Sequence, residues 1–369
     1  MQDGYILKRE ELVTRSLRAL YERNGYKKYR MGKFEPYELY LENINFLGSR
    51  HIITFNDLDG RVLALKPDVT LSIVKNTHAD LSSSEKFYYL ESVYRLDKGS
   101  RSYREISQLG LEYLGVSDAY ATGEVTVLAA KTLRVISENS RMQLSHVGFV
   151  QSLMDGLSID VCAKRALVEC LRKKSAHELA HTADAMGIPV AAKQMLLTLC
   201  NLSGPFHQTI ESARAIAITQ GMTDALCELN GVYAMLEMAG VSENVMLDFS
   251  LLGDMDYYSG IAFQGYVQGV ASAVLAGGCY AGLVKKFAKD IDAIGFAVYL
   301  NELSQLDERN VRDDVDVLVI YDASDAPVDI TRAANKLNEK GLRTRFEMCA
   351  PRDLRYGKSI SLKEALIDA

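Results

Sequence analysis

The sequence lacks tryptophan and is poor in proline, with 6 prolines among 369 residues. None of its 6 cysteines forms a C-x-x-C pair or another short spacing typical of metal sites. No apolar run approaches the roughly 18 residues that would span a bilayer, and the first residues lack the apolar core of a signal peptide. We therefore expect a cytoplasmic protein with reduced thiols, no metal site and no membrane contact.

Positive charge is also in deficit. The chain has 42 Lys and Arg against 48 Asp and Glu, which gives a net charge of -6. Nucleic-acid binding draws on excess positive charge because phosphate neutralisation drives it, so this composition counts against a protein that handles tRNA. With 48% apolar and 24% charged residues, the chain is long enough for two or three domains with ordinary buried cores.

Hydrophobic spacing predicts an amphipathic helix over residues 7–23, then two β-hairpins that indicate one antiparallel sheet. A nearly continuous helical composition over 163–239 predicts an insertion of several short helices. Further along, a strand, a helix and a strand predict a small βαβ fragment. The strand predictions cover residues 51–55, 61–65, 86–94, 102–113, 142–150, 245–267, 315–321 and 343–347.

We therefore predict an α+β fold in which an antiparallel sheet is flanked by helices. We expect a first domain over residues 1–310, with the helical insertion at about 157–240, and a C-terminal α/β fragment over 311–369. At about 55 residues this fragment is small for independent stability, so we expect it to pack on the main body.

One motif suggests zinc. His177-Glu-Leu-Ala-His181 matches H-E-x-x-H, which places two histidines on one helix face with a glutamate base. Ser175 stands at a helix-cap position just ahead, so His177 falls in the first turn, where helices fray. The nearest acidic third ligands are only Asp184 and Glu211. We favour a chance match on an exposed helix.

A glycine-rich patch covers residues 276–282, around Gly277 and Gly278. It lacks the order and the lysine of a phosphate-binding loop. Two interpretations stay open, because glycine permits close approach of the backbone either to a ligand or to a neighbouring strand.

Polar side chains cluster on the predicted strands. Gln108 and Glu112 are four residues apart on one strand, hence on one face. A carboxylate-rich, tyrosine-lined sheet surface favours a small cationic ligand such as an ammonium group, although each residue alone also fits a solvated strand face. The other members are Asp68, Thr70, Tyr257 and Tyr258.

With these residues the chain resembles the catalytic domain of histidyl-tRNA synthetases, which have the class II synthetase fold. It resembles more closely their non-charging paralogues, the regulatory subunits of ATP phosphoribosyltransferase. The similarity runs in order from about residue 8 to 306, interrupted in the helical insertion. It is carried by residues 94–97 (YRLD), 101–108 (RSYREISQ), 110–115 (GLEYLG), 256–263 (DYYSGIAF), 276–280 (AGGCY) and 295–303 (GFAVYLNEL).

The resemblance implies a histidine pocket. Asp68, Thr70 and Gln108 would hold the α-ammonium, and the synthetases have Glu where Asp68 stands. Glu112 and Tyr258 would face the imidazole. The remaining implied contacts are Arg95 on the ligand carboxylate, Tyr280 closing the pocket, and Tyr257 beside Tyr258.

The departures from the family pattern imply that amino-acid activation is lost. Gly253, Cys279 and Glu302 stand where synthetases have arginines. Adenylate formation needs fixed cations on a triphosphate, and one lost donor of this kind costs about 3 to 4 kcal/mol. The basic residues Lys98, Arg101 and Arg104 remain in the loop of the second hairpin, which resembles the second motif of the family. Two interpretations of this loop stay open: a solvated loop, and a contact with an anion or a partner.

The resemblance thus implies a regulatory subunit that does no chemistry and needs no cofactor. It would bind histidine and confer feedback on a short-form catalytic ATP phosphoribosyltransferase in the first step of histidine biosynthesis. It would act as a homodimer within a hetero-oligomer, without tRNA, since the C-terminal part resembles a truncated anticodon-binding domain. Gly32 replaces the proline of the first-motif dimer interface. The alternatives are a divergent histidyl-tRNA synthetase and a free-standing amino-acid sensor.

Overall fold

The computed structural model of the chain describes residues 9–47, 51–80, 82–97, 99–115, 118–157, 159–253, 257–287, 289–309 and 313–367. These residues form two compact units, one spanning 10–305 and the other beginning at Leu306. Within the described ranges no helix is both long enough and apolar enough to cross a bilayer.

The first half of the chain combines helices with two long strands. Its elements are α1 (Arg9–Arg23), β1 (Lys27–Lys28), β2 (Phe34–Pro36), α2 (Tyr37–Glu42), β3 (Thr54–Asn56), β4 (Val62–Leu65), α3 (Thr70–Asn76), β5 (Glu85–Leu96), β6 (Tyr103–Gly115), α4 (Ala119–Ile136), β7 (Ser140–His146) and α5 (Val147–Asp155). The structure confirms the entry helix, as far as it is described, and both predicted hairpins.

A run of helices follows, as predicted for residues 163–239, and the chain then returns to the sheet. The helices include α6 and α10, whose first turns are capped by the side chains of Asp160 and Thr219. The elements are α6 (Val161–Arg172), α7 (Ala176–Ala185), α8 (Val190–Cys200), β8 (Ser203–Pro205), α9 (Phe206–Ile216), α10 (Gln220–Met238), β9 (Val245–Asp248), β10 (Ile261–Val267), β11 (Leu275–Cys279), α11 (Ala281–Lys286), β12 (Asp292–Tyr299) and α12 (Leu300–Leu303).

The main sheet of this unit has the strand order β1-β5-β6-β12-β11-β10-β7-β9-β8. Its central strands pair antiparallel, whereas β1 with β5 and β7 with β9 are parallel, so the sheet is mixed. Strand β12 joins the β5–β6 hairpin to the rest of the sheet, and its Gly295 is paired with Glu112 of β6 and with Gly278 of β11. These long-range pairings bring distant segments of the sequence together.

Three strand predictions need correction. The first hairpin does not join the main sheet, because β4 pairs with both β2 and β3 in a separate three-stranded sheet. The strand predicted at 142–150 ends at His146, and α5 begins at Val147. The sheet predicted over 245–267 is interrupted between Asp248 and Ile261. A short apolar run fits either a strand or a buried helix, so its spacing alone does not decide between them.

A buried apolar cluster packs where the small sheet and α3 meet the main sheet. It contains Val69, Ile73 and Val93, and it includes Tyr89 and Tyr280. Because these side chains are packed on several elements at once, their orientation is restricted. The cluster therefore fixes two tyrosines that also line the site described below.

The second unit is a parallel sheet with helices packed against it. Its elements are β13 (Val315–Ile320), α13 (Pro327–Glu339), β14 (Thr344–Glu347), β15 (Tyr356–Ser361) and α14 (Leu362–Ile367), with strand order β14-β13-β15. The predicted βαβ segment is present as β13, α13 and β14, whereas β15 was not predicted. Val317, Val319 and Leu337 lie in its core.

Candidate functional site

A pocket of about 190 Å³ lies where β5, β6, β11 and β12 meet α3 and the loop before β10. All eight side chains that the sequence analysis selected line it, although the segments that carry them are separated by up to more than half of the chain. They are Asp68, Thr70, Arg95, Gln108, Glu112, Tyr257, Tyr258 and Tyr280. The structure therefore brings the whole predicted set together in one cavity.

We had expected these residues to lie on strands, but several of them do not. Asp68 precedes α3 and Thr70 is the first residue of that helix, while Tyr257 and Tyr258 lie in the loop before β10. Asp68 accepts a hydrogen bond from the backbone N–H of Leu71 at 2.9 Å. A carboxylate that satisfies a free N–H at a helix start favours a helix over a continued strand.

Glu112 is the centre of the pocket. Its side chain is 2% exposed, and its two carboxyl oxygens accept hydrogen bonds from Thr70 Oγ1 at 2.7 Å and from Tyr280 Oη at 2.6 Å. Burial raises the pKa of Glu112 to about 8, and the nearby carboxylate of Asp68 acts in the same direction. The two hydrogen bonds lower this pKa but do not offset the burial.

Glycines make room for the polar side chains of the pocket. A Cβ atom at Gly295 would lie 1.8 Å from Oε2 of Glu112 and 2.6 Å from the carbonyl oxygen of Leu111. A Cβ at Gly277 would lie 2.3 Å from the carbonyl oxygen of Gly295, and Gly277 also lines the pocket. The glycine-rich patch thus serves close packing of strands and forms part of the pocket wall.

Arg95 and Asp68 form an ion pair at one side of the pocket. Arg95 Nη2 lies 3.3 Å from Asp68 Oδ2, and Arg95 Nε donates to the carbonyl oxygen of Pro67 at 2.7 Å. Among the described residues that line the pocket, Arg95 is the one cation, against the two carboxyl groups of Asp68 and Glu112. A zwitterion can match both charges, with its anion on Arg95 and its cation on an acid.

The sequence analysis missed part of the aromatic wall. Tyr89 lies on β5 and Tyr299 ends β12, opposite Gln108 in the strand register. The alternation of side chains along β5 places Tyr89 on the face of Arg95, so this residue was within reach of a sequence argument. Tyr299 was not, because only the pairing of β12 with β6 brings it there. The other residues that line the pocket are Phe46, Leu47, Ala276, Phe296 and Ala297.

Two of the three positions that depart from the synthetase pattern, Gly253 and Glu302, have local surroundings that fit the residue present. Gly253 has φ +55°, and a Cβ there would lie 2.7 Å from the ring of Tyr258. Glu302 accepts hydrogen bonds from Ser272 at 2.5 Å and from Gln305 at 2.8 Å. A positive φ disfavours residues with a side chain, so an arginine at Gly253 would require this loop and Tyr258 to move.

Cys279 adjoins Tyr280 in the sequence but is not among the described residues that line the pocket. Burial raises the pKa of its thiol to about 12. A neutral, half-buried thiol supplies no positive charge to a ligand in the pocket.

Two other sequence features lie away from this pocket. His177 and His181 are exposed on α7, and within the described ranges no three His, Cys, Asp or Glu side chains are grouped as a metal ion requires. Arg104, which we had placed in a loop, lies on β6 and pairs with Asp97 at 3.1 Å, with both groups partly exposed. Lys98 and Asp256 lie outside the described residues.

The mixed sheet flanked by helices, with a polar pocket beside its β5–β6 hairpin, defines a protein of the class II aminoacyl-tRNA synthetase type. The family model for histidyl-tRNA synthetase matches residues 6–303, and the chain belongs to that family.

Some proteins similar to this chain are named as regulatory subunits and not as synthetases. The chain is 28% identical over 349 residues to an ATP phosphoribosyltransferase regulatory subunit from Clostridium kluyveri, covering 91% of this chain and 88% of the relative.

Two solved structures share the fold. One is an ATP phosphoribosyltransferase regulatory subunit/histidyl-tRNA synthetase from Bacillus halodurans C, with a TM-score of 0.79, 24% identity and coverage of 98% of this chain and 96% of that one. The other is a chain of the ATP phosphoribosyl transferase (HisG:HisZ) complex from Thermotoga maritima, with a TM-score of 0.62, 16% identity and coverage of 79% and 97%.

Proposed function

We propose that the chain is a histidine-binding regulatory subunit of ATP phosphoribosyltransferase and that catalysis takes place in a separate, short-form catalytic subunit. It would confer feedback by histidine on the first step of histidine biosynthesis, in the cytoplasm, without tRNA, membrane or cofactor. The names of its relatives support this assignment. We also propose that residues 1–310 and 311–369 act as two domains of this subunit.

One observation carries the proposal. The pocket has two carboxyl groups and a single cation among its described lining residues. Activation of an amino acid with ATP would require several fixed cations to hold the triphosphate and stabilise its transition state. The pocket thus has the groups to bind a small zwitterion, whereas glycine, a neutral thiol and a carboxylate stand where the resemblance places the arginines of the family.

The geometry supports a particular orientation of histidine. Its α-carboxylate would bind Arg95 and its α-ammonium would bind Asp68, with Gln108 alongside. The imidazole would face Glu112 and Tyr258. The hydroxyl of Thr70, which we had placed near the ammonium, already donates to Glu112. We therefore assign Thr70 and Tyr280 to holding the Glu112 carboxyl. The ring of Tyr257 packs against the rings of Tyr258 and Tyr280.

Feedback requires a difference in histidine affinity between two states of the assembly. A ligand shifts an equilibrium only by its differential affinity for the two states. A coupling of about 1 to 3 kcal/mol corresponds to roughly a 5- to 150-fold effect. We propose that the chain forms a homodimer within a hetero-oligomer; the HisG:HisZ complex of its structural neighbour supports the hetero-oligomer.

The direct test uses the catalytic subunit with and without the chain. We expect histidine to inhibit the reconstituted complex and to leave the catalytic subunit alone unaffected at the same concentrations, because the proposed histidine site lies on this chain. Initial rates over a histidine titration measure this difference. Equal inhibitory concentrations for both preparations would contradict the proposal.

The alternative function is that of an enzyme, a divergent histidyl-tRNA synthetase, because the family model that matches the chain is the one for histidyl-tRNA synthetase. We expect no histidine-dependent exchange of pyrophosphate into ATP, because each missing oxyanion-type donor costs about a hundred- to a thousandfold in rate. An authentic histidyl-tRNA synthetase serves as the positive control. Robust exchange by this chain would identify it as a synthetase. The other alternative, an amino-acid sensor that acts on a different partner, would be identified by co-purification with an enzyme other than a phosphoribosyltransferase.

A further inference from the structure

Glu112 is a buried acid that contacts no counter-charge among the residues that the structure describes. Its two hydrogen-bond partners, Thr70 and Tyr280, are neutral hydroxyls. The one cation among the described lining residues, Arg95, is directed at Asp68 and at the carbonyl oxygen of Pro67. An ionised carboxylate in such a place loses its hydration without gaining an opposite charge, which favours the neutral acid.

The groups that face Glu112 from the surrounding elements do not supply the missing charge. Asp68, before α3, adds a second negative charge. Tyr89 of β5, Tyr257 and Tyr258 of the loop before β10, and Tyr280 after β11 all have pKa values raised by burial and stay neutral. On β12, Gly295 offers no side chain and lies against Oε2.

The hydroxyl network can hold either form of Glu112. Thr70 lies within hydrogen-bonding reach of Glu112 and also of the hydroxyl of Tyr257. When Glu112 is ionised, Thr70 donates to the carboxylate. When Glu112 carries a proton, its O–H can donate to Thr70 Oγ1 while Thr70 turns its own proton toward Tyr257, so every hydrogen bond keeps one donor and one acceptor.

We propose that Glu112 is protonated in the empty pocket and passes this proton to the ligand, so that the imidazole of histidine is held as an imidazolium against the Glu112 carboxylate. The O–H bond of the acid breaks and an N–H bond forms on the neutral imidazole, so the proton stays in the pocket and an ion pair replaces the neutral acid. For the identity of the ligand this inference rests on the proposed function. Histidine sensing is thereby coupled to proton transfer from Glu112, and histidine affinity falls as the pH rises above the pKa of Glu112, because the proton must then come from solvent.

The test is infrared difference spectroscopy on the full-length chain at pH 7, with and without histidine. We expect the C=O stretching band of a protonated carboxyl in the empty protein and the loss of that band when histidine is added. The empty Glu112→Gln variant assigns the band, because it should lack it. Tyr280→Phe provides a second assignment by shifting the band through loss of one hydrogen bond, without depending on how Glu112→Gln folds.

Calorimetric titration of histidine into the same sample separates this inference from the proposed function. Histidine binding together with loss of the band supports proton transfer from Glu112. Histidine binding with an unchanged band, or an empty protein without the band, would overturn proton transfer and leave the sensor function standing. If neither this titration nor equilibrium dialysis detects histidine binding, the proposed function fails, and the coupling to histidine fails with it.

Discussion

Replacing Glu112 by glutamine is expected to weaken histidine binding by about ten- to a hundredfold. The amide keeps the shape of the side chain and its place between Thr70 and Tyr280, but it cannot become an anion. A hydrogen bond to a charged group contributes about 1.5 to 3 kcal/mol, and the ligand cation loses that contribution. Isothermal titration calorimetry measures the change, and the concentration of histidine that inhibits the enzyme complex should rise by a similar factor.

A matched control lies on the same strand. Glu105 of β6 is exposed and lies outside this pocket, so Glu105→Gln makes the same substitution without touching the proposed site. We expect its histidine affinity to be within about twofold of wild type, since surface substitutions away from special features have small effects. Assembly of the unliganded complex should be unchanged in both variants. Equal affinities for Glu112→Gln and wild type would remove Glu112 from the binding site.

Replacing Gly295 by alanine is expected to impair both stability and binding. The added methyl group would lie 1.8 Å from a carboxyl oxygen of Glu112 and 2.6 Å from the backbone oxygen of Leu111. Glu112 must rotate away from Tyr280, and the β6–β12 backbone must adjust as well. Overpacking of this kind costs about 1 to 3 kcal/mol, which denaturant unfolding measures, and we expect histidine affinity to fall at least tenfold.

Gly231 provides the control for the same substitution. It lies exposed in α10, and a Cβ there would meet nothing within 4 Å. In a helix, alanine is favoured over glycine by roughly 0.5 to 1 kcal/mol, so Gly231→Ala should raise the free energy of unfolding slightly and leave histidine binding unchanged. If Gly295→Ala behaved like Gly231→Ala, Gly295 would have no role in positioning Glu112.

Much of the fold could be predicted from local pattern. Alternating apolar residues and turn residues indicated both hairpins, and the composition of 163–239 indicated the helices from α6 to α10. Sequence pattern failed where the partner of a strand decides its place. Nothing within residues 51–65 shows that β4 pairs with β2 in a separate sheet. Strands pair through backbone hydrogen bonds that nearly every residue type can form, so the local sequence does not identify the partner strand.

The candidate site followed from residue type and from the family resemblance more than from spacing. Gln108 and Glu112 could be placed on one face because they share a strand. The hydrogen bond from Tyr280 to Glu112 joins residues 168 positions apart, and no local pattern predicts such a contact. The roles of the eight residues in binding histidine stay predictions until the affinities above are measured.

By itself, the sequence determined the periodicity of the helices and strands, the net charge, and the loss of three arginines from a family pattern. These are properties of residues and of their near neighbours along the chain. Only the tertiary structure decided that Glu112 is buried without a counter-charge and that Gly295 leaves it room. Burial and electrostatic surroundings depend on which distant strands pair, and that pairing is set by the packing of the whole sheet.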